Sequence, residues 1–150
     1  MLQSYLSPFF DRLIVFKLFK FFSDNTDVEW VVHRNGDSYT LGTKHNPYNS
    51  GGWVDYGLDK PDASVHSHPG IQANANKEIE SMGYWPEGIV KDSDWYNVLN
   101  DVNANRKYTR LNYVYFPNSA NLYFVGYHRA QYIRKINNYK SFYFGTLNNR

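Results

Sequence analysis

The chain has 150 residues, the usual size of one domain, and its 16 lysines and arginines nearly balance its 14 aspartates and glutamates. The small net charge of +2 gives no argument for a nucleic-acid partner. Cysteine is absent, which excludes disulfides, thiolate zinc sites and cysteine nucleophiles, so any metal must be held by His, Asp, Glu or water. We therefore expect a single domain over residues 1–150.

The most apolar part of the chain is its beginning. Ser7 and Pro8 are typical of a helix start and the Ser-Asp-Asn run at 23–25 of a helix end, so the sequence predicts a helix over about residues 8–22. Charged residues interrupt this segment at positions 11, 12, 17 and 20, whereas a membrane span needs about 20 nearly uncharged residues. No signal-peptide cleavage site follows it. We expect neither a membrane span nor a signal peptide, and the compartment stays open.

The next segments predict strands. Residues rich in β-branched and aromatic side chains flank Asn35-Gly36, a pair typical of a tight hairpin turn. A third short strand is predicted over residues 63–68 and must end at Pro69-Gly70. Between them, residues 44–62 contain Gly, Pro and Asn throughout and predict a loop.

The second half of the chain mixes both element types. The polar residues 71–91 predict an inserted loop with a helical turn around residues 75–81, and a capped helix follows from about Asp94 to Val102. Another hairpin has Pro117-Asn118 in its turn, and residues 132–145 predict one more short helix or strand. This mixture predicts an α+β fold, with a mixed β-sheet flanked by helices.

Two histidines stand at the end of the strand predicted over residues 63–68, in the sequence SVHSHPG. Since side chains alternate along a strand, His66 and His68 share one face while Ser67 points to the other. Two imidazoles at this spacing can bind one zinc ion, and catalytic zinc usually takes three protein ligands. Asp94, at the start of the predicted helix, is our choice for the third, because Asp92 and Ser93 can cap that helix.

These residues resemble a known family. Glu29 on an early strand, then HSHP at residues 66–69, then an aspartate at the start of the next helix, resemble the JAB/MPN/JAMM zinc metalloprotease domain, whose pattern is a glutamate, HxHP and SxxD. The resemblance implies a cytidine-deaminase-like mixed sheet, with His66, His68 and Asp94 as Zn²⁺ ligands and Glu29 as the general base. The short length and the tyrosine-rich tail are most similar to the JAB-like toxin domains of bacterial polymorphic toxins.

The sequence departs from the family pattern at two points. Lys91 stands where the pattern has the serine that helps to stabilise the oxyanion, and the nearest hydroxyl belongs to Ser93. The spacing from His68 to the aspartate is also longer than usual in the family. If Asp92 were the ligand instead, Ile89 would stand at the serine position.

The resemblance implies a zinc metallopeptidase or isopeptidase that cleaves a protein or peptide substrate, including ubiquitin-like conjugates. It also implies a toxin secreted as the C-terminal part of a larger protein, with an immunity protein as a partner. Two alternatives stay open. Lys91 favours a non-catalytic JAB-fold interaction module, and basic residues interleaved with tyrosines after residue 106 favour a metal-dependent nuclease, although a solvated basic face explains them more simply.

Overall fold

Six strands form one mixed sheet in the computed structural model, which describes residues 12–83, 111–128 and 130–137. Their order across the sheet is β2-β1-β3-β4-β5-β6, and of the neighbouring pairs only β3 and β4 run parallel. The strands are β1 (Val31–Asn35), β2 (Ser38–Gly42), β3 (Ala63–Ser67), β4 (Leu111–Phe116), β5 (Asn121–His128) and β6 (Ala130–Lys135). Two α-helices accompany them, α1 (Arg12–Asn25) and α2 (Ala73–Met82), with short 3₁₀ helices at Trp53–Tyr56 and Gly70–Gln72.

Helix α1 packs on one face of the sheet. Its buried side chains Val15 and Phe19 join the inward residues of five strands in a single core cluster. Phe19 is fully buried and meets the ring of Tyr115 edge-on, with 6.0 Å between the ring centroids. Ala63 and Val65 of β3 belong to this cluster, and side chains alternate along a strand. His66 therefore lies on the opposite face of the sheet.

Helix α2 belongs to the opposite face. Its Ile79 packs with a second cluster of buried side chains from β4, β5 and β6, namely Val114, Phe116, Tyr123, Val125 and Ile133. The Glu80 carboxylate of α2 accepts hydrogen bonds from Ser119, Asn121 and Tyr123, all on or beside the β4–β5 turn. This helix is thus fixed to the sheet by both apolar packing and a polar contact.

The structure confirms the α+β class, the mixed sheet and both predicted hairpins. Gly36 has φ +58°, the conformation that the tight turn between β1 and β2 requires. Residues 73–82 form a full helix where a loop with a single helical turn was predicted, and residues 130–135 form a strand. The helix predicted at 94–102 lies outside the described residues.

Helix α1 continues to Asn25, three residues beyond the predicted end. The polar residues that often end a helix here contribute to its last turn. Ser23 is buried, and Lys20 and Asp24 form an ion pair one turn apart. The side-chain amide of Asn25 donates a hydrogen bond to the Phe21 carbonyl (2.7 Å). The predicted start of this helix, residues 8–11, lies outside the described residues. No helix within the described ranges is long and apolar enough to span a membrane.

Candidate metal centre

The two histidines lie together at the carboxyl end of β3. Their ring centroids are 5.2 Å apart, and both side chains are buried, with 9% of His66 and 6% of His68 exposed. His66 pairs with Val31 on one side and Val114 on the other, and the His68 and Phe116 rings meet edge to face with 5.4 Å between centroids. Strand alternation therefore brings both imidazoles to one face, as the sequence predicts, inside apolar walls.

Glu29 comes to the same face through the pairing of β1 with β3. Val31 is the partner of His66, and the Ser67 N–H donates to the Trp30 carbonyl (2.9 Å), which continues the pairing by one residue. The next position, Glu29, therefore stands opposite His68, and opposite residues of an antiparallel pair share a face. Glu29 is only 6% exposed, although it lies two residues before β1 rather than within the strand. The sheet thus places the buried residue Glu29 at the position that faces His68.

The loop after β2 holds the backbone of Glu29. The Glu29 N–H donates to the Asn46 carbonyl (2.9 Å), and the Thr43 hydroxyl donates to the Glu29 carbonyl (2.6 Å). Tyr56 anchors this loop, because it is fully buried and its hydroxyl donates to the Ser50 carbonyl. Burial, and to a smaller extent the nearby negative charge of Asp55, raises the pKa of the Tyr56 hydroxyl to about 12. The position of Glu29 therefore depends on a packed loop as well as on strand pairing.

A row of polar residues crosses the same face one step further from the strand ends. Thr40, His33, Ser64 and Asn112 are in register on β2, β1, β3 and β4. The His33 Nδ1 and the Ser64 Oγ are 2.7 Å apart, and both side chains are buried. His33 is therefore part of a buried hydrogen-bonded pair beside the candidate centre.

The chain turns sharply after the histidines, and the turn is held by a residue that the sequence analysis did not single out. The fully buried Asn76 side chain of α2 donates to the carbonyl oxygens of His68 (3.1 Å) and Pro69 (3.3 Å). It also donates to the Asn118 side chain in the β4–β5 turn (3.3 Å). The helical spacing of Asn76 and Ile79 before Gly83 is the signal that would have shown an inward-facing asparagine here.

The distance between the two imidazoles is compatible with one bound metal ion. A tetrahedral zinc ion bound about 2.0–2.1 Å from one nitrogen of each ring would place the ring centres about 5 Å apart, close to the 5.2 Å found. Within residues 12–83, 111–128 and 130–137, no group of three His, Asp or Glu side chains could hold a metal ion. Ser93 and Asp94, as well as Lys91 and Asp92, lie outside these ranges.

A separate groove of about 570 Å³ lies between α2 and the β4–β5 turn. Lys77, Glu80 and Ser81 line it from the helix, and Asn118, Ser119 and Tyr123 from the hairpin. None of the predicted site residues contributes to its walls. The groove is therefore distinct from the pair of histidines.

Comparison with known proteins supports the same family as the site residues. No curated protein and no solved structure matches the chain. One family model does: its description is JAB-like toxin 1, and it matches residues 12–110, which include β1 to β3, both histidines, Glu29 and Asp94. Because the match covers about two thirds of the 150 residues, the chain belongs to the JAB-like toxin 1 family.

Proposed function

We propose that this JAB-like toxin domain is a zinc-dependent peptidase or isopeptidase. His66, His68 and Asp94 would bind the zinc ion, Glu29 would act as the general base, and Ser93 would lie near the carbonyl oxygen of the scissile bond. The observation that carries the proposal is the pair of buried imidazoles 5.2 Å apart, with the buried Glu29 at the position that faces His68, two residues before the neighbouring strand.

The chemistry follows from this arrangement. Zinc, when bound, would supply Lewis acidity and make hydroxide available near neutral pH. Glu29 would accept a proton from the attacking water and deliver it to the leaving amine, as a general base that then acts as a general acid. Val31, Val114 and Phe116, which are all buried beside the histidines, would exclude bulk water and so strengthen these interactions.

The metal is tested first. Purified protein is expected to bind one zinc ion, measured by elemental analysis and titration calorimetry, and His68→Asn is expected to lose it. His45→Asn is the matched control, because His45 is exposed in the loop after β2 and asparagine tolerates its positive φ of 54°. Zinc-free wild-type protein after reconstitution would contradict the proposal and favour the non-catalytic interaction module, which Lys91 also favours.

The reaction is tested next. Glu29→Gln is expected to retain zinc and lose at least about 100-fold in hydrolysis of peptides or ubiquitin-like conjugates, the range for a general base. Glu78→Gln, at an exposed position of α2, makes the same chemical change away from the site and is expected to keep full activity. Cleavage of DNA or RNA with the same dependence on Glu29 would instead establish the metal-dependent nuclease.

The third ligand is tested by comparing neighbours. Asp94→Ala is expected to weaken zinc binding strongly, while Asp92→Ala leaves it unchanged. Each variant removes one carboxylate from the same short segment, so the pair separates a ligand from general charge. The reverse result would assign the metal to Asp92 and leave Ile89 at the serine position.

The family also supports a biological setting. We propose that the domain is the toxic part of a larger secreted protein, acts on a protein target and is neutralised by an immunity protein. Expression of the wild-type domain in a bacterial cytoplasm is expected to stop growth, and Glu29→Gln is expected to restore it. Equal toxicity of both proteins would show that toxicity does not depend on the proposed base.

A further inference from the structure

His68 lies one residue beyond the end of β3. Its N–H donates to the Tyr115 carbonyl of β4 (2.9 Å), and its carbonyl accepts from the Asn76 side chain of α2 (3.1 Å). The backbone of this histidine is thus held from two sides by two different elements. His66, in contrast, lies within the strand and is paired on both sides.

The orientation of the Asn76 amide is fixed by its partners. Two of them, the carbonyl oxygens of His68 and Pro69, can only accept hydrogen bonds, so the NH₂ group must face them. The same NH₂ group reaches the Asn118 oxygen, which connects the turn after His68 to the β4–β5 turn. A residue without donors at this position would leave two carbonyl groups beside a fully buried side chain without these partners.

We propose that Asn76 is a positioning residue for the metal centre. By holding the carbonyls of His68 and Pro69 it fixes the direction in which the chain leaves β3, and with it the His68 imidazole relative to that of His66. Asn76 does not itself contact the metal or the substrate. This inference rests on the proposed function, because it requires that the two histidines bind zinc.

Zinc affinity measures this role directly. Asn76→Leu keeps the approximate volume and removes the donors, and it is expected to weaken zinc binding about tenfold, the low end for partners that orient metal ligands. The control is Asn74→Leu on the same helix, where the side chain is exposed and the same change is expected to leave the affinity within about twofold of wild type. The affinities are measured by calorimetry where every variant is almost fully folded, so that a loss of stability alone cannot change them.

The spectrum of bound cobalt(II) provides a second measurement. Asn76→Leu is expected to change the visible band that reports ligand geometry, whereas Asn74→Leu keeps the wild-type spectrum. If Asn76→Leu does not fold, Asn118→Ala decides: it removes one acceptor from an exposed turn and is expected to weaken zinc binding about two- to threefold.

Two different failures can be distinguished. If Asn76→Leu binds zinc as tightly as the wild type, the positioning role is wrong and the proposed zinc peptidase is unaffected. If Asn76→Leu does not fold, the same conclusion follows from an unchanged zinc affinity of Asn118→Ala. Wild-type protein that binds no zinc would overturn both. A tenfold loss confined to the Asn76 variant, with a changed cobalt spectrum, would establish the positioning role.

Discussion

Gly42 lies at the end of β2, against the ring of Tyr56, and we expect Gly42→Ala to be strongly destabilising. A β-carbon at this position would be 2.5 Å from Cε1 and 2.6 Å from Cζ of the ring. The ring has no room to retreat, because Tyr56 is fully buried and Gly51 lies against it as well, with its own β-carbon position 2.9 Å from the hydroxyl. Overpacking in a closed core costs about 1–3 kcal/mol, and we expect about 3 kcal/mol here because both sides are blocked.

The measurement is thermal and urea unfolding of the two variants Gly42→Ala and Gly57→Ala. For a chain of this size, about 3 kcal/mol corresponds to a Tm lower by about 6–12 °C. In Gly57→Ala the added carbon meets no atom within 4 Å, and only the positive φ of 67° opposes it, at about 1–2 kcal/mol. A smaller loss in Gly42→Ala than in Gly57→Ala would refute the idea that Tyr56 is locked between two glycines.

Three further predictions concern stability. The pKa of Tyr56 is raised to about 12 in the folded protein, so the wild type is expected to lose about 2 kcal/mol of its free energy of unfolding as the pH rises from 10 to 12. Tyr56→Phe is expected to lose less over this range, as measured by unfolding curves between pH 9 and 12. Glu80→Ala should cost about 2 kcal/mol in urea unfolding, since its carboxylate accepts hydrogen bonds from the β4–β5 hairpin, while exposed Glu78→Ala should cost under about 0.5 kcal/mol. Phe19→Ala should cost about 3–5 kcal/mol by calorimetry, and an equal cost for Phe21→Ala, where 60% of the side chain is exposed, would contradict the position of the core.

Local signals were sufficient for much of the fold. The Asn35-Gly36 pair requires a tight turn, and the alternation in SVHSHPG decides that both imidazoles face one way, so both features follow from backbone geometry over a few residues. The partner of β3 in the sheet could not be obtained in this way. The facing position of Glu29 and His68 depends on pairing between segments 39 residues apart, and here the family resemblance, not the spacing, identified the glutamate.

Helix α2 shows why part of the site was missed. Its sequence, ANANKEIESM, has few apolar residues, and the helix is specified by what it meets: Ile79 enters the second core cluster and Gly83 ends the helix in the left-handed conformation. The contact of Ile79 is tertiary, so helix propensity alone predicts only a single turn. The sequence therefore places Asn76 in a single helical turn of a polar insert, although it is one of the most deeply buried polar residues described.

The way in which α2 packs also limits where a third ligand of the proposed metal centre could come from. Its inward residues are Asn76, committed to the turn after His68, and Ile79, committed to the core, while the Glu80 carboxylate is occupied by the β4–β5 hairpin. The inward face of α2 thus offers the histidines no carboxylate. Because β3 and β4 are parallel, the chain must cross from one end of the sheet to the other, and residues 69–110 far exceed the dozen or so that a crossover requires. This long connection contains Asp94 as well as Asp92. The comparison of Asp94→Ala with Asp92→Ala therefore tests the proposed centre more sharply than any substitution in α2.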